Sequence, residues 1–143
     1  MARVSIFAIT VYDLTRGNLI PFKGMTKEII MKFESQLLKG IAPVVVLEIL
    51  SGGQMYGYEL GQAIEQRSGD ILTLGKGTLY PLLYNLEAKK LVKGRWEKNH
   101  SARKRRYYSI TSKGKDELAK QKVQLKELTA GLNLLFGGAL APV

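Results

Sequence analysis

No cysteine occurs among the 143 residues, which excludes disulfides, thiolate nucleophiles and cysteine-ligated zinc. The single histidine, His100, has neither a cysteine nor a second histidine to join it, so it makes no credible zinc site; a phosphate contact is the other role open to it. Long apolar runs are missing as well. Residues 1–10 are short and mixed, with Arg3 their only basic group, and the polar run 13–18 interrupts the next apolar patch, which suits neither a signal peptide nor a bilayer span. A cytoplasmic protein without a membrane partner is the expectation. No nucleophilic triad or close carboxylate pair stands in a catalytic setting. Gly75-Lys-Gly-Thr78 is like the end of a phosphate loop but lacks the glycine-rich approach that would wrap a nucleotide. Neither an enzyme nor a cofactor or metal is expected. Acidic residues are few: 12 against 22 lysines and arginines, a formal charge of +10 and a pI near 9.8. That imbalance points to a polyanion, with nucleic acid the leading partner and an anionic membrane surface the alternative.

The chain does hold clear apolar patterning. Residues 33–50 carry Leu37, Leu38, Ile41, Val44, Val45, Leu47, Ile49 and Leu50, dense enough for a buried strand or a buried helix. Length and leucine content favour helix, with Pro43 expected in a first turn or at a kink, and Ser51-Gly-Gly53 as the stop. Tyr56, Leu60 and Ile64 recur four apart, with Ala63 beside them, and describe a second helix ending near Ser68-Gly69. Gly57 and Gly61 inside it mark close helix packing. Ile71-Leu-Thr-Leu74 is too short for a helix and reads as a small strand or an extended connector.

Leu79, Leu82, Leu83 and Leu86 form a third amphipathic face. Pro81 has no N–H to donate, which costs nothing in an opening turn, so this helix is expected to begin close to Lys76–Thr78. Residues 91–96 and 105–110 are β-rich runs separated by Glu97-Lys-Asn-His-Ser-Ala102, a hairpin with a long tip. Thr111 or Ser112 can cap a last helix, where Leu118, Leu125 and Leu132 lie seven apart and Leu128 and Leu135 complete an a/d-like stripe. The expected fold is mainly α with a β-hairpin wing: a winged helix-turn-helix plus a long C-terminal dimerisation helix. Residues 1–30 read as an unassigned N-terminal extension, 31–111 as the winged domain, and 112–143 as the dimerisation helix and tail. A leucine stripe with no second domain to bury it is most economically covered by a second copy, as a two-fold homodimer.

Leu38-Lys-Gly40, Tyr56-Gly-Tyr-Glu-Leu60, Gly77-Thr-Leu-Tyr-Pro81 with Leu86-Glu87, and Arg105-Arg-Tyr-Tyr108 with Ile110-Thr-Ser-Lys-Gly114 follow in an order and spacing that resembles the PadR family of winged-helix transcriptional regulators, in its small subfamily with one C-terminal helix. The resemblance spans residues 37–118; the last helix matches in kind only, and residues 1–30 match none of the family's motifs. It implies a homodimeric regulator of double-stranded DNA, often a repressor that a small aromatic or hydrophobic effector releases from a near-palindromic operator. One departure concerns the effector. The last helix has no tryptophan, and the only one, Trp96, lies on the wing strand, which counts against a flat aromatic ligand sandwiched at the dimer centre.

Each candidate residue has a functional and a structural reading. At the start of the third helix, Lys76 suits a phosphate, and the hydroxyls of Thr78 and Tyr80 can donate to phosphates, against a capping threonine and a tyrosine packed on the domain. Tyr84 and Asn85 stand between base contact and solvation; asparagine can pair with adenine. On the wing, Arg103 or Lys104 is the preferred DNA contact, with Arg95 after them. Strand alternation prevents all of Arg103, Lys104, Arg105 and Arg106 from facing one surface, and Arg105 or Arg106 could brace Glu87 or Glu59. Tyr56, Tyr58, Tyr107 and Tyr108 read as packing residues. Leu118, Leu125, Leu128, Leu132 and Leu135 are the expected dimer contacts, and an effector cavity is sought near Leu125, Leu128 and Phe136, against solid core there. The competing function is non-specific binding of nucleic acid or a membrane surface. Co-sedimentation with anionic vesicles stronger than DNA binding at moderate salt would select it; DNA binding should prevail.

Overall fold

The computed structural model describes residues 10–13, 18–21, 27–98 and 103–140; His100 and residues 1–9 of the N-terminal extension lie outside them. Two compact units divide the chain, Met1–Gly40 and Ile41–Val143. In the first, β1 (Thr10–Asp13) pairs antiparallel with β2 (Asn18–Pro21), with Thr10 opposite Pro21 and Asp13 opposite Asn18. Helix α1 (Lys27–Ser51) then runs through the boundary between the units. It starts six residues before the apolar run that announced it (33 − 27), because residues 27–33 are free of glycine and proline and mostly good helix formers.

Pro43 lies inside α1, not in its first turn. It cannot donate to the Lys39 carbonyl, and Lys39 is exposed, so water can serve that acceptor. Ala42, Val44, Val46, Leu47, Ile49 and Leu50 of α1 are buried. The helix ends at Gly52 and Gly53, whose N–H groups donate to Ile49 and Leu50. Strand β3 (Met55–Tyr56) follows, and then α2 (Gly57–Arg67), where the Tyr56 N–H donates to Glu59 Oε2 at 3.2 Å in a capping interaction. Leu60 and Ile64 are the buried face of α2. Residues 71–74 form an extended connector rather than a strand, pinned by buried Leu74.

Helix α3 (Lys76–Ala88) begins where Gly75 caps it, as the position of Pro81 required, yet Pro81 falls in the second turn. The acceptor it leaves unserved is the carbonyl of exposed Gly77, again open to water. Leu79, Leu83 and Leu86 bury the other side. The helix closes in a Schellman pattern: Lys90 N–H donates to Glu87 O at 2.9 Å and Leu91 N–H to Leu86 O at 2.9 Å, with Lys90 left-handed at φ 61°.

Strands β4 (Val92–Lys98) and β5 (Lys104–Ile110) form the wing, from Val92 opposite Ile110 out to Lys98 opposite Lys104. β3 adds to β5, giving the order β3-β5-β4. No sequence signal marked β3, since a two-residue strand exists only through its partner. Helix α4 (Ser112–Leu135) is capped by Thr111, whose hydroxyl accepts from Gly114 N–H at 3.0 Å and donates to the Lys90 carbonyl at 2.7 Å. The second unit is thus a winged helix-turn-helix with a long C-terminal helix. Its core centres on Leu47, Leu50, Leu60, Ile64, Leu83, Val92 and Tyr108. Tyr108 is held neutral: burial pushes its phenol above the ordinary value, with nearby Arg106 pulling the other way.

Two substitutions close to each other should act with opposite sign. A Cβ on Gly114 would collide with the Leu91 carbonyl and lie 2.8 Å from Ile110 Cγ1, and the carbonyl is backbone that cannot swing aside. Gly114→Ala should therefore cost roughly 2–4 kcal/mol. Lys90→Gly removes a side chain from a left-handed position and should stabilise by roughly 1 kcal/mol. Urea denaturation of both variants measures this; an unchanged midpoint for Gly114→Ala would refute the close approach.

Candidate nucleic-acid interface

Helix α3 turns Lys76, Gly77, Pro81, Tyr84, Asn85 and Ala88 outward, opposite its buried leucines. Its first turn contains no acidic residue, so its unpaired N–H groups and Lys76 together make a positive end. Thr78 and Tyr80 are half-buried. The Tyr80 ring lies on α2: a Cβ at Gly57 would stand 2.7 Å from its Cε1, so Gly57 exists to admit the ring. Tyr80 also lines, with Gly61 and Lys76, a groove of about 300 Å³ between α2 and α3.

Tyr84 and Asn85 diverge. Tyr84, 62 % exposed, lies toward the wing, close enough to Tyr108 to influence its phenol. Asn85 instead lines a groove with Pro43 of α1, Lys89, and Lys113 and Gln121 of α4. Adjacent in sequence, they serve different surfaces.

On the wing the four-residue basic run splits into two pairs. Arg103 and Lys104 are exposed. Arg105 lies over the Tyr56 ring, 4.4 Å from its centroid, where Tyr56 also meets Tyr107 edge-on at 5.7 Å and Tyr58 at 6.4 Å. Arg106 forms an ion pair with Glu87 of α3, one of the pairings that the alternation had left open. Arg95 is on the opposite sheet face from Trp96. It pairs with Glu97 and donates to Gln54 Oε1 at 3.1 Å, so the loop after α1 shares in placing it.

The leucine stripe of α4 is covered unevenly. Leu118 is 7 % exposed and belongs to the core of its own chain. Leu125 and Leu132 are half-buried, and Leu128 and Leu135 are exposed, joined by Val123 and Leu134, which the heptad reading had omitted. The three residues expected around an effector cavity do not share one. Leu125 lines an apolar groove of about 370 Å³ with Val44, Ile49 and Leu72, at whose rim Lys122 pairs with Glu48 at 3.1 Å. Leu128 opens onto a separate depression with Leu132 and Leu135, and Phe136 lines neither.

Among the described residues no three His, Cys, Asp or Glu side chains gather as a metal site, and no helix is long and apolar enough to cross a membrane. The surface consists of a positive helix start, an aromatic flank and a cationic ribbon, which together suit a phosphate backbone and a groove.

Comparison with known proteins agrees. The model of the transcriptional regulator PadR-like family matches residues 46–120. An uncharacterised protein of Lysinibacillus sphaericus is 31% identical over 97 residues, covering 66% of this chain and 89% of that one. A PadR-like transcriptional regulator from Bacillus cereus superposes with TM-score 0.61 at 32% identity, covering 71% of this chain and 96% of that one. A PadR family transcriptional regulator from Eggerthella lenta gives 0.66 at 28% identity, with 76% and 93% covered.

Proposed function

Because this chain belongs to the PadR-like family of DNA-binding transcriptional regulators, we propose that it is a sequence-specific repressor that binds a near-palindromic promoter operator as a homodimer. The observation that carries this reading is the joint exposure of the α3 start and the wing cations on one winged domain. Lys76 and Thr78 take phosphates at the helix N-terminus, Tyr84 flanks the groove on the wing side and Asn85 on the side of α4, and Arg95, Arg103 and Lys104 hold the neighbouring backbone. Tyr80 acts mainly by seating α3 on α2. The net charge of +10 supplies the long-range attraction. A repressor of promoter DNA would act in the cytoplasm.

The second copy covers the outer part of the α4 stripe, Leu128, Leu132 and Leu135, with Leu125 at its margin; Leu118 supports the helix from inside its own chain. The two α3 helices then face half-sites about 34–36 Å apart or a multiple of it. A small hydrophobic effector would enter the α1–α4 groove at Leu125, which α1, α2, the connector and α4 wall together, whereas the depression at Leu128 is lined by α4 alone. Such a ligand relieves repression only by altering the spacing or angle of the two α3 helices.

Titration of the purified protein with its own upstream DNA and with a scrambled duplex, at two salt concentrations, tests the specific reading. The upstream DNA should bind at least about a thousandfold more tightly. Equal affinities at both salts would leave only electrostatic attraction. For assembly, Leu128→Glu combined with Leu135→Glu alters side chains that are exposed in the single chain, so the fold should survive. Light scattering should then give the monomer mass, and operator affinity should fall by about a hundredfold or more as the second half-site is lost. A dimer mass in that variant would move the interface elsewhere.

A further inference from the structure

Arg106 differs from the exposed cations of the wing. Its side chain leaves β5 and passes over Gly94 of β4, where a Cβ would lie 2.7 Å from the guanidinium carbon. The guanidinium is 5.5 Å from the Trp96 ring centroid and 5.8 Å from that of Tyr108, and it ends on Glu87 near the close of α3. The two partners are only 23% and 28% exposed, so water screens them less than it screens a surface pair. Farther out, Trp96 itself is 61 % exposed, and Lys98 and Lys104 stand in solvent. The base of the wing is fixed by buried Val92 and Tyr108. On its other face the ribbon is tied by Arg105 over Tyr56 and by Arg95 on Gln54; a two-stranded ribbon tied on one face alone can still twist and swing toward or away from α3.

We propose that Arg106 and Glu87 form a strut that sets the angle of the wing against α3, making Arg106 a positioning residue for DNA binding and not a phosphate contact. The inference rests on the DNA-binding reading above. Bringing α3 and the wing to DNA together requires their relative angle to be set beforehand. When the competent angle is populated for only a fraction of the time, apparent affinity falls by that fraction. The glycine at position 94 is what the strut requires: any side chain there would occupy the path of the guanidinium.

Glu87 makes the two roles separable. If Arg106 served as a phosphate contact, Glu87 would only repel DNA, and Glu87→Gln would tighten binding. A strut predicts the reverse. Trp96 is the only tryptophan in the chain, so its fluorescence reports the wing alone.

The experiment uses the full-length protein, its own upstream DNA at three salt concentrations, and the variants Glu87→Gln, Arg106→Gln and Lys104→Ala. The first two should each weaken binding roughly five- to tenfold with an unchanged salt slope. Both should also make Trp96 more accessible to acrylamide in the free protein. Lys104→Ala should lower the salt slope by about one. Tighter binding by Glu87→Gln, or a slope lowered by about one in Arg106→Gln, would overturn the strut. Should Arg106→Gln fail to fold, as judged by its melting curve, Glu87→Gln decides alone. If the unaltered protein shows no salt-dependent DNA binding, the DNA reading fails; acrylamide access unchanged in Glu87→Gln would then reject the strut itself, and increased access would uphold it as a wing brace.

Discussion

One backbone carbonyl, that of Leu91, anchors the arrangement on which the interface depends. It accepts from the Thr111 N–H at 3.1 Å, shares the Thr111 hydroxyl proton, 3.0 Å away, with the Lys90 carbonyl, and lies against Gly114 so closely that no side chain could stand there. The end of α3, the first residue of the wing and the first turn of α4 thereby meet within a few residues. Lys113 adds a donation to the Lys89 carbonyl at 3.1 Å, taking up one of the acceptors that the end of α3 leaves unpaired. The direction of α4 and the root of the wing are consequently set by the same contact, so a change in one is felt by the other.

Above that anchor, electrostatics divides the wing into two parts. Arg105 and Arg106 are adjacent in the densest basic run, yet each is held by protein: one by the Tyr56 ring, the other by Glu87 and two aromatic rings. Lys104, next to them, is exposed. The formal charge of +10 therefore overstates the cations available to a polyanion and understates how firmly the ribbon is built. Counting basic residues in a run is a poor guide to contact number; strand register and the nearest carboxylate decide it.

Much of this was legible in the sequence, for identifiable reasons. Helix α3 could be placed because Pro81 and the flanking glycines allow few starting points, and the hairpin because two β-rich runs flank a polar stretch, although the strands extend farther, to Lys98 opposite Lys104. What escaped has physical causes. β3 is two residues long and exists only because β5 offers it an edge. The α1 start at Lys27 escaped because the dense apolar run begins only at residue 33, while the sparser spacing of Ile29, Ile30 and Phe33 leading into it is a weaker sign of helix. A heptad stripe cannot tell Leu118, covered by its own chain, from Leu135, which is bare. Leu125 and Leu128 share a stripe in sequence but lie roughly 60° apart around the helix axis, enough for different grooves to claim them.

The outward face of α3 carries Gly77, Pro81 and Ala88 alongside Tyr84 and Asn85. With Lys76 the face has six residues, and three of them have no side-chain hydrogen-bonding group, so it offers few groups for reading base edges. A surface of this kind discriminates by contour: it admits a backbone to close range where a groove is wide enough and rejects it where the groove is narrow. On the proposed operator reading, what such a helix leaves unread would be supplied by the distance between paired sites, with geometry carrying a large share of the specificity.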